Sequence, residues 1–152
     1  MTKLLLSVHV LVAILAVGSI TVAASMFPRQ ALRAIGGEGP GVATLLHRVC
    51  RGYAVAGIAV PVFGIATGAR LGVLGDAWLI VSLVLTAGAA ALLALAVLPG
   101  QRTLLTLAEA PGDVEAARPV AARLTMLTGV FNLLWAVVVV LMIVRPGSTT
   151  GA

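Results

Sequence analysis

Four long runs of apolar residues dominate this chain and limit it to one kind of fold. They cover residues 4–27, 52–69, 77–98 and 124–144. A helix needs about 20 residues to cross the roughly 30 Å of hydrocarbon in a bilayer, and backbone groups in lipid must be hydrogen-bonded within their own segment. The second run is the shortest and contains Pro61, so we expect its helix to begin earlier, near Val42. The sequence therefore predicts an all-α fold, a four-transmembrane-helix bundle, in a single membrane domain over residues 1–152.

The composition agrees with a membrane protein and argues against other classes. Hydrophobic residues make up 61% of the chain and charged residues only 10%, whereas a soluble domain carries about 25% charged residues. The net charge of +5 comes from residues at the ends of the apolar runs, so we expect no nucleic-acid partner. The single cysteine, Cys50, excludes an intrachain disulfide. Arginine far outnumbers lysine, and Ala, Val, Leu and Gly are abundant, a composition typical of a GC-rich bacterial genome.

The first apolar run has some features of a secretory signal. Lys3 precedes it, and Val22-Ala23-Ala24 resembles a cleavage site. We nevertheless expect the run to be retained as a helix, because it is longer than the apolar core of about 7–15 residues that signal peptides contain.

The positive charges predict the orientation of the chain in the membrane. Cytoplasmic connections carry an excess of lysine and arginine. The linkers 28–51 and 99–123 hold seven such residues: Arg29, Arg33, Arg48, Arg51, Arg102, Arg118 and Arg123. The N-terminus, the linker 70–76 and the C-terminal tail hold three: Lys3, Arg70 and Arg145. We therefore expect a multi-pass protein of the bacterial inner membrane with both termini outside.

A weak internal repeat divides the chain into two halves. The exit from the first run, MFPRQALRAI, resembles the exit from the third, VLPGQRTLLTL. Each is followed by Gly-rich or Pro-Gly sequence, paired arginines and another apolar run. The pattern predicts two repeated helical hairpins in parallel orientation, as in other repeat-built membrane folds.

Two stripes of small or polar residues are candidates for helix packing or for ligand contact. Gly57, Pro61, Gly64 and Gly68 share one face of the second run, and small residues let membrane helices approach closely. Pro61 also removes the hydrogen bond to the carbonyl of Gly57, so it should kink the helix. Thr125, Thr128 and Asn132 share one face of the fourth run. These polar side chains either join helices by hydrogen bonds or contact a ligand.

His9 is the residue in the apolar runs that points most directly to a function. It shares a helix face with Ala13, Ala16 and Ala23, which leave room for a close neighbour. One interpretation is a neutral histidine that bonds to a neighbouring helix or reaches the interface. The other is a metal ligand, in particular an axial ligand of b-type haem, because neutral imidazole is a standard ligand for haem iron.

The second axial ligand of such a haem is constrained by depth in the membrane. His47 is predicted at the opposite end of the hydrocarbon, about 30 Å away, so one haem cannot join the two imidazoles. Met142 lies on the same side as His9 in the fourth run. The haem hypothesis therefore uses His9 with Met142, with a water, or with an open position.

Two stretches carry a resemblance to known families. KLLLSVHVLVAILAVGSITVAASMFPRQALRA and NLLWAVVVVLMIVRPG resemble a bacterial family of uncharacterised four-helix integral membrane proteins, a domain of unknown function. The first-helix histidine followed by Pro28-Arg29 is also similar to membrane protoporphyrinogen-oxidase-like and copper-resistance membrane proteins. The second resemblance implies a haem or copper role for His9.

The sequence favours an accessory protein over an enzyme. All five acidic residues lie outside the apolar runs, and catalysis normally needs converging acid, base or nucleophilic groups. We assign no catalytic residue and expect a structural or accessory role in lipid, with a homo-oligomer or another membrane protein as partner. The alternatives are a haem b or other cofactor-binding redox protein that uses His9, and an oligomeric pore or small-molecule transporter.

Overall fold

The computed structural model, which describes residues 1–110 and 112–147, contains four long helices. They are α1 (Thr2–Glu38), α2 (Gly41–Leu71), α3 (Ala77–Leu107) and α4 (Val114–Val144), and each is long and apolar enough to cross a membrane. The described part of the chain contains no strand. The predicted all-α, four-helix bundle of a multi-pass membrane protein is confirmed. Pro111 and the last five residues of the predicted domain lie outside the described residues.

The outer surface of the bundle is apolar along its middle. Large side chains such as Leu11, Val84, Leu95 and Leu133 are more than half exposed. A soluble monomer rarely exposes so much apolar surface in one continuous area. Lipid chains would cover this surface without a desolvation cost.

α2 is interrupted in the middle, where the sequence predicts a kink. Its two halves are Gly41–Ala56 and Ala59–Leu71. Pro61 has no N–H to offer the carbonyl of Gly57, and that oxygen instead accepts from the N–H of Val60 at 3.1 Å. The tighter turn interrupts the regular helix just before the segment that faces His9.

α3 continues through a proline where the predicted third run ends. A wide helical turn covers Leu93–Val97, and a regular helix follows from Leu98 to Leu107. A proline clashes with the carbonyl four residues before it, and a single wide turn relieves such a clash. Pro99 therefore does not end the helix, and the residues after it stay in the bundle.

α4 begins outside the predicted fourth run. Asp113 caps its N-terminus, and its carboxylate accepts from the N–H of Glu115 at 2.9 Å. The amphipathic stretch that follows the cap is continuous with the membrane helix.

The helices pack tightly at one end and loosely at the other. α1 packs along α2 and α4, and α4 also packs along α3. The main core lies towards the α1–α2 and α3–α4 connections and includes Phe27, Leu104 and Leu124, which are almost completely buried. At the end that carries both termini, the second half of α2 makes few contacts with α3. This difference leaves space between the two hairpins on the side of His9.

Candidate functional site

A cavity of about 390 Å³ opens between the helices at the end that carries the termini. The beginning of α1, the second half of α2, the beginning of α3 and the end of α4 all line it. Most of its wall is aliphatic or aromatic, and its volume falls in the range of about 300–1,000 Å³ that is usual for small-molecule sites. His9 and Met142, the two residues of the haem hypothesis, both line this cavity.

His9 is held in one orientation by a hydrogen bond to α2. Its side chain is 7% exposed, and Nδ1 lies 2.9 Å from the carbonyl oxygen of Val60. Because a carbonyl oxygen only accepts, Nδ1 carries the hydrogen and donates it. No Asp or Glu lines the cavity to balance a positive ring, and an isolated charge in an apolar site is costly. The neutral ring therefore leaves Nε2 as an acceptor.

The close approach of His9 to α2 depends on Gly64. A Cβ at this position would lie 3.0 Å from Cε1 and 3.3 Å from Nδ1 of His9. Such distances are shorter than ordinary van der Waals contact. The missing side chain of Gly64 is therefore what lets the imidazole reach the carbonyl of Val60.

The other residues of the predicted α2 stripe also lie towards neighbouring segments of the same chain. A Cβ on Gly57 would meet Ala16 of α1 at 3.9 Å, and one on Gly68 would meet Leu79 of α3 at 2.9 Å. Pro61 lines the cavity beside His9. The stripe is used within the bundle.

Arg145 and Trp78 lie against each other in the cavity wall. The guanidinium of Arg145 lies 5.4 Å from the centre of the Trp78 ring, and its Nε donates to the carbonyl of Met142 at 3.3 Å. Trp78 in turn donates from its indole nitrogen to the carboxylate of Asp76 at 3.0 Å. Met142 packs against the small apolar cluster that contains Trp78. These contacts connect the end of α4 to the beginning of α3.

The predicted polar stripe of α4 lies apart from the cavity. Thr125 donates to the carbonyl of Ala121 at 2.9 Å, and Asn132 donates to the hydroxyl of Ser25 on α1 at 3.3 Å. Thr128 is 2% exposed, and its hydroxyl has no partner among the residues that the structure describes. None of the three lines the cavity, and among the described residues Asn132 is the member of the stripe that bonds to α1.

A second buried polar cluster was not predicted from the sequence. His47 of α2 donates from Nδ1 to the side-chain oxygen of Gln101 on α3 at 2.8 Å. The amide nitrogen of Gln101 then donates to the sulfur of Cys50 at 3.5 Å. Gln101 and Cys50 are both 0% exposed. The cluster lies at the tightly packed end of the bundle, beside Phe27.

One signal in the sequence could have revealed this cluster. Val97, Gln101 and Leu104 recur at spacings of four and three, and all three are buried. That spacing places them on one face of a continuous helix. The end of the apolar run at residue 98 predicts a linker at Gln101, whereas the helix does not end there.

His9 is the imidazole among the described residues that line the cavity. Within residues 1–110 and 112–147, no group of three or more His, Cys, Asp or Glu side chains is placed to hold a metal ion. One imidazole nitrogen facing an apolar space can accept a hydrogen bond or ligate a metal already held by a cofactor. No protein family, no curated protein and no solved structure matches this chain.

Proposed function

We propose that this protein is a small accessory membrane protein that holds one mainly apolar molecule between its two helical hairpins. The observation that carries the proposal is the cavity beside His9, where an oriented imidazole faces a space with apolar walls. The cavity lies between the helices. A molecule dissolved in the surrounding membrane lipid could enter it from the bilayer.

Packing and hydrogen bonding both favour an occupant. Helices in lipid are held together by close van der Waals contact, and the walls of an empty space lose those contacts. Nε2 of His9 has no hydrogen-bond partner among the described residues, and one hydrogen bond contributes about 0.5–1.5 kcal/mol. A molecule that fills the cavity and bonds to Nε2 of His9 therefore stabilises the bundle on both counts.

Filling the cavity with protein should abolish binding. We expect Ala13→Leu, which adds three carbons at the cavity wall, to remove a co-purifying molecule. Native mass spectrometry of the protein released from bacterial membranes measures this as the loss of one bound mass. Ala87→Leu is the matched control, because Ala87 is exposed and does not line the cavity. A wild-type protein without a bound mass, or equal occupancy in both variants, would contradict the proposal.

Haem b is a second candidate for the bound molecule. A metal-bound histidine usually donates its other ring N–H to a carbonyl or carboxylate, and His9 donates Nδ1–H to Val60. Met142 lines the same cavity and is an axial ligand type found in cytochromes. A haem-containing preparation would show a Soret absorption band that depends on His9.

The arrangement of the α2 glycines does not favour the oligomeric pore. Gly57, Gly64 and Gly68 face segments of the same chain, so the stripe is already occupied within one molecule. A homo-oligomer or a complex with another membrane protein would use the remaining apolar surface.

We further propose a place in the bacterial inner membrane with both termini outside. The arginines at the α1–α2 and α3–α4 connections support this orientation. An impermeant thiol reagent should label Thr2→Cys in intact cells and label Glu109→Cys only after lysis. The wild-type protein gives the background, because Cys50 is 0% exposed. The reverse labelling pattern would refute the orientation.

A further inference from the structure

We infer that the cavity selects a membrane-soluble molecule with a neutral hydroxyl group, such as a quinol or a lipid alcohol. This inference rests on the proposed function, since it names the chemistry of the molecule that the cavity holds. It follows from the hydrogen bonds of His9, Thr67 and Thr86, three polar side chains that line the cavity.

The polar groups in the interior of the cavity offer acceptors. His9 has committed its Nδ1–H to Val60 and retains the lone pair of Nε2. Thr67 donates its hydroxyl hydrogen to the carbonyl of Phe63 at 2.7 Å, and Thr86 donates to Ser82 at 2.7 Å. A hydroxyl that has donated its one hydrogen can still accept. These three side chains therefore leave acceptor sites and no free N–H or O–H.

Besides His9, three lining side chains carry N–H donors, and none of them is placed beside His9 by a hydrogen bond. Trp78 donates to Asp76, and Arg145 lies over the Trp78 ring at the outer end. The indole nitrogen of Trp135 is buried without a partner, and since it has almost no accessible surface, it does not face the open space. A molecule in the interior of the cavity therefore meets acceptors.

This pattern decides which head group fits. A quinone, an ester or an ether can only accept, so it leaves Nε2 of His9 without a partner. A hydroxyl donates to Nε2 and satisfies it. No acidic side chain of the described residues lies beside the neutral imidazole, so an uncharged group is favoured over a cation. The charged lining residue, Arg145, lies over the Trp78 ring and donates to the carbonyl of Met142. A reduced quinol and an aliphatic alcohol share this chemistry and differ in the shape of the head.

Binding of matched probes to the protein in lipid nanodiscs tests the inference. The probes are a short-chain benzoquinol, its benzoquinone, its dimethyl ether and a prenol of equal chain length, all measured without oxygen. We expect the quinol or the prenol to bind about tenfold more tightly than the quinone and the ether, the change expected for one hydrogen bond. Whichever hydroxyl compound binds more tightly identifies the source as a quinol or a lipid alcohol.

Two variants connect the preference to His9. His9→Leu removes the Nε2 acceptor, so this variant should bind the quinol and its ether equally. A glutamine at this position can donate to Val60 and still accept, so His9→Gln should retain part of the preference for the quinol. Where His9→Leu does not yield folded protein, Thr67→Val removes a second acceptor of the same cavity without touching the bond from His9 to Val60. A reduced preference in His9→Gln or Thr67→Val supports the hydroxyl inference, and an unchanged preference in both overturns it.

The remaining outcomes separate this inference from the proposed function. Equal binding of quinol, quinone and ether, tighter binding of a carboxylic acid of equal length, or a Soret band in the purified protein would overturn the hydroxyl inference and leave a ligand-binding cavity. Failure of every probe to bind, together with a wild-type protein that carries no bound mass, would overturn both.

Discussion

Gly64→Ala is expected to destabilise the bundle by about 1–3 kcal/mol, the usual cost of forcing an added methyl group against a neighbouring side chain. The new methyl group would lie 3.0 Å from Cε1 and 3.3 Å from Nδ1 of His9. The imidazole would have to move, and it would lose its hydrogen bond to Val60, because that bond requires the close approach of the two helices. Unfolding in mixed micelles, followed by tryptophan fluorescence, measures the change.

Two controls isolate the contact between Gly64 and His9. Gly88→Ala adds the same methyl group to a membrane helix where nothing lies within 4 Å. This control should be neutral or stabilising by up to about 1 kcal/mol, since alanine has the higher helix propensity. In a His9→Ala background the imidazole is absent, so Gly64→Ala should cost much less. Equal effects of Gly64→Ala in both backgrounds would contradict the proposed contact.

The number of helices could be predicted from the sequence because lipid imposes a strict requirement. Every backbone group in the hydrocarbon must be hydrogen-bonded locally, so four apolar runs of sufficient length give four helices. The ends of the helices were harder to predict, since a helix does not need apolar residues once it leaves the membrane. α1 stays helical past residue 27 until Gly37, whose φ of 107° interrupts it, and α3 continues to Leu107, so both extend beyond the predicted runs.

The cavity could be predicted only in part. The sequence places His9 on a face with three alanines, and the structure buries Ala16 and Ala23 of that face. The partner of His9 depends on how α1 crosses α2, which follows from the break at Gly57–Ile58 and the space at Gly64. These are properties of two helices together, and a hydropathy pattern in one helix does not contain them.

The two ends of the bundle differ in how tightly they are packed. At the end with the arginine-rich connections, a tight core surrounds the fully buried Gln101. At the end with the termini, His9 faces open space. In the proposed function, the tightly packed end holds the hairpins together and the end with the cavity admits a molecule without loss of the core. Stability and binding should therefore respond to different substitutions.

Gln101→Leu tests the tightly packed end and should destabilise the protein by about 1–3 kcal/mol, the cost of leaving a buried polar group without a partner. Gln101 accepts from Nδ1 of His47 at 2.8 Å and donates to the sulfur of Cys50 at 3.5 Å. Leucine fills a similar volume, so the main loss is the hydrogen bond to His47. In lipid the apolar side chain gains little, because the surrounding tails are as apolar as leucine.

A double substitution separates the hydrogen bond from the change in packing. Replacing both partners of a buried hydrogen bond by apolar groups can be nearly neutral, so His47→Leu with Gln101→Leu should recover most of the stability lost in Gln101→Leu. Gln30→Leu is the matched control, because Gln30 is half-buried and its side chain makes no hydrogen bond with any residue that the structure describes. If Gln101→Leu unfolded at the same detergent composition as Gln30→Leu, the cluster would not stabilise the tightly packed end.

Binding at the His9 cavity should persist in all these variants under conditions where they remain folded, since neither Gln101 nor His47 lines it.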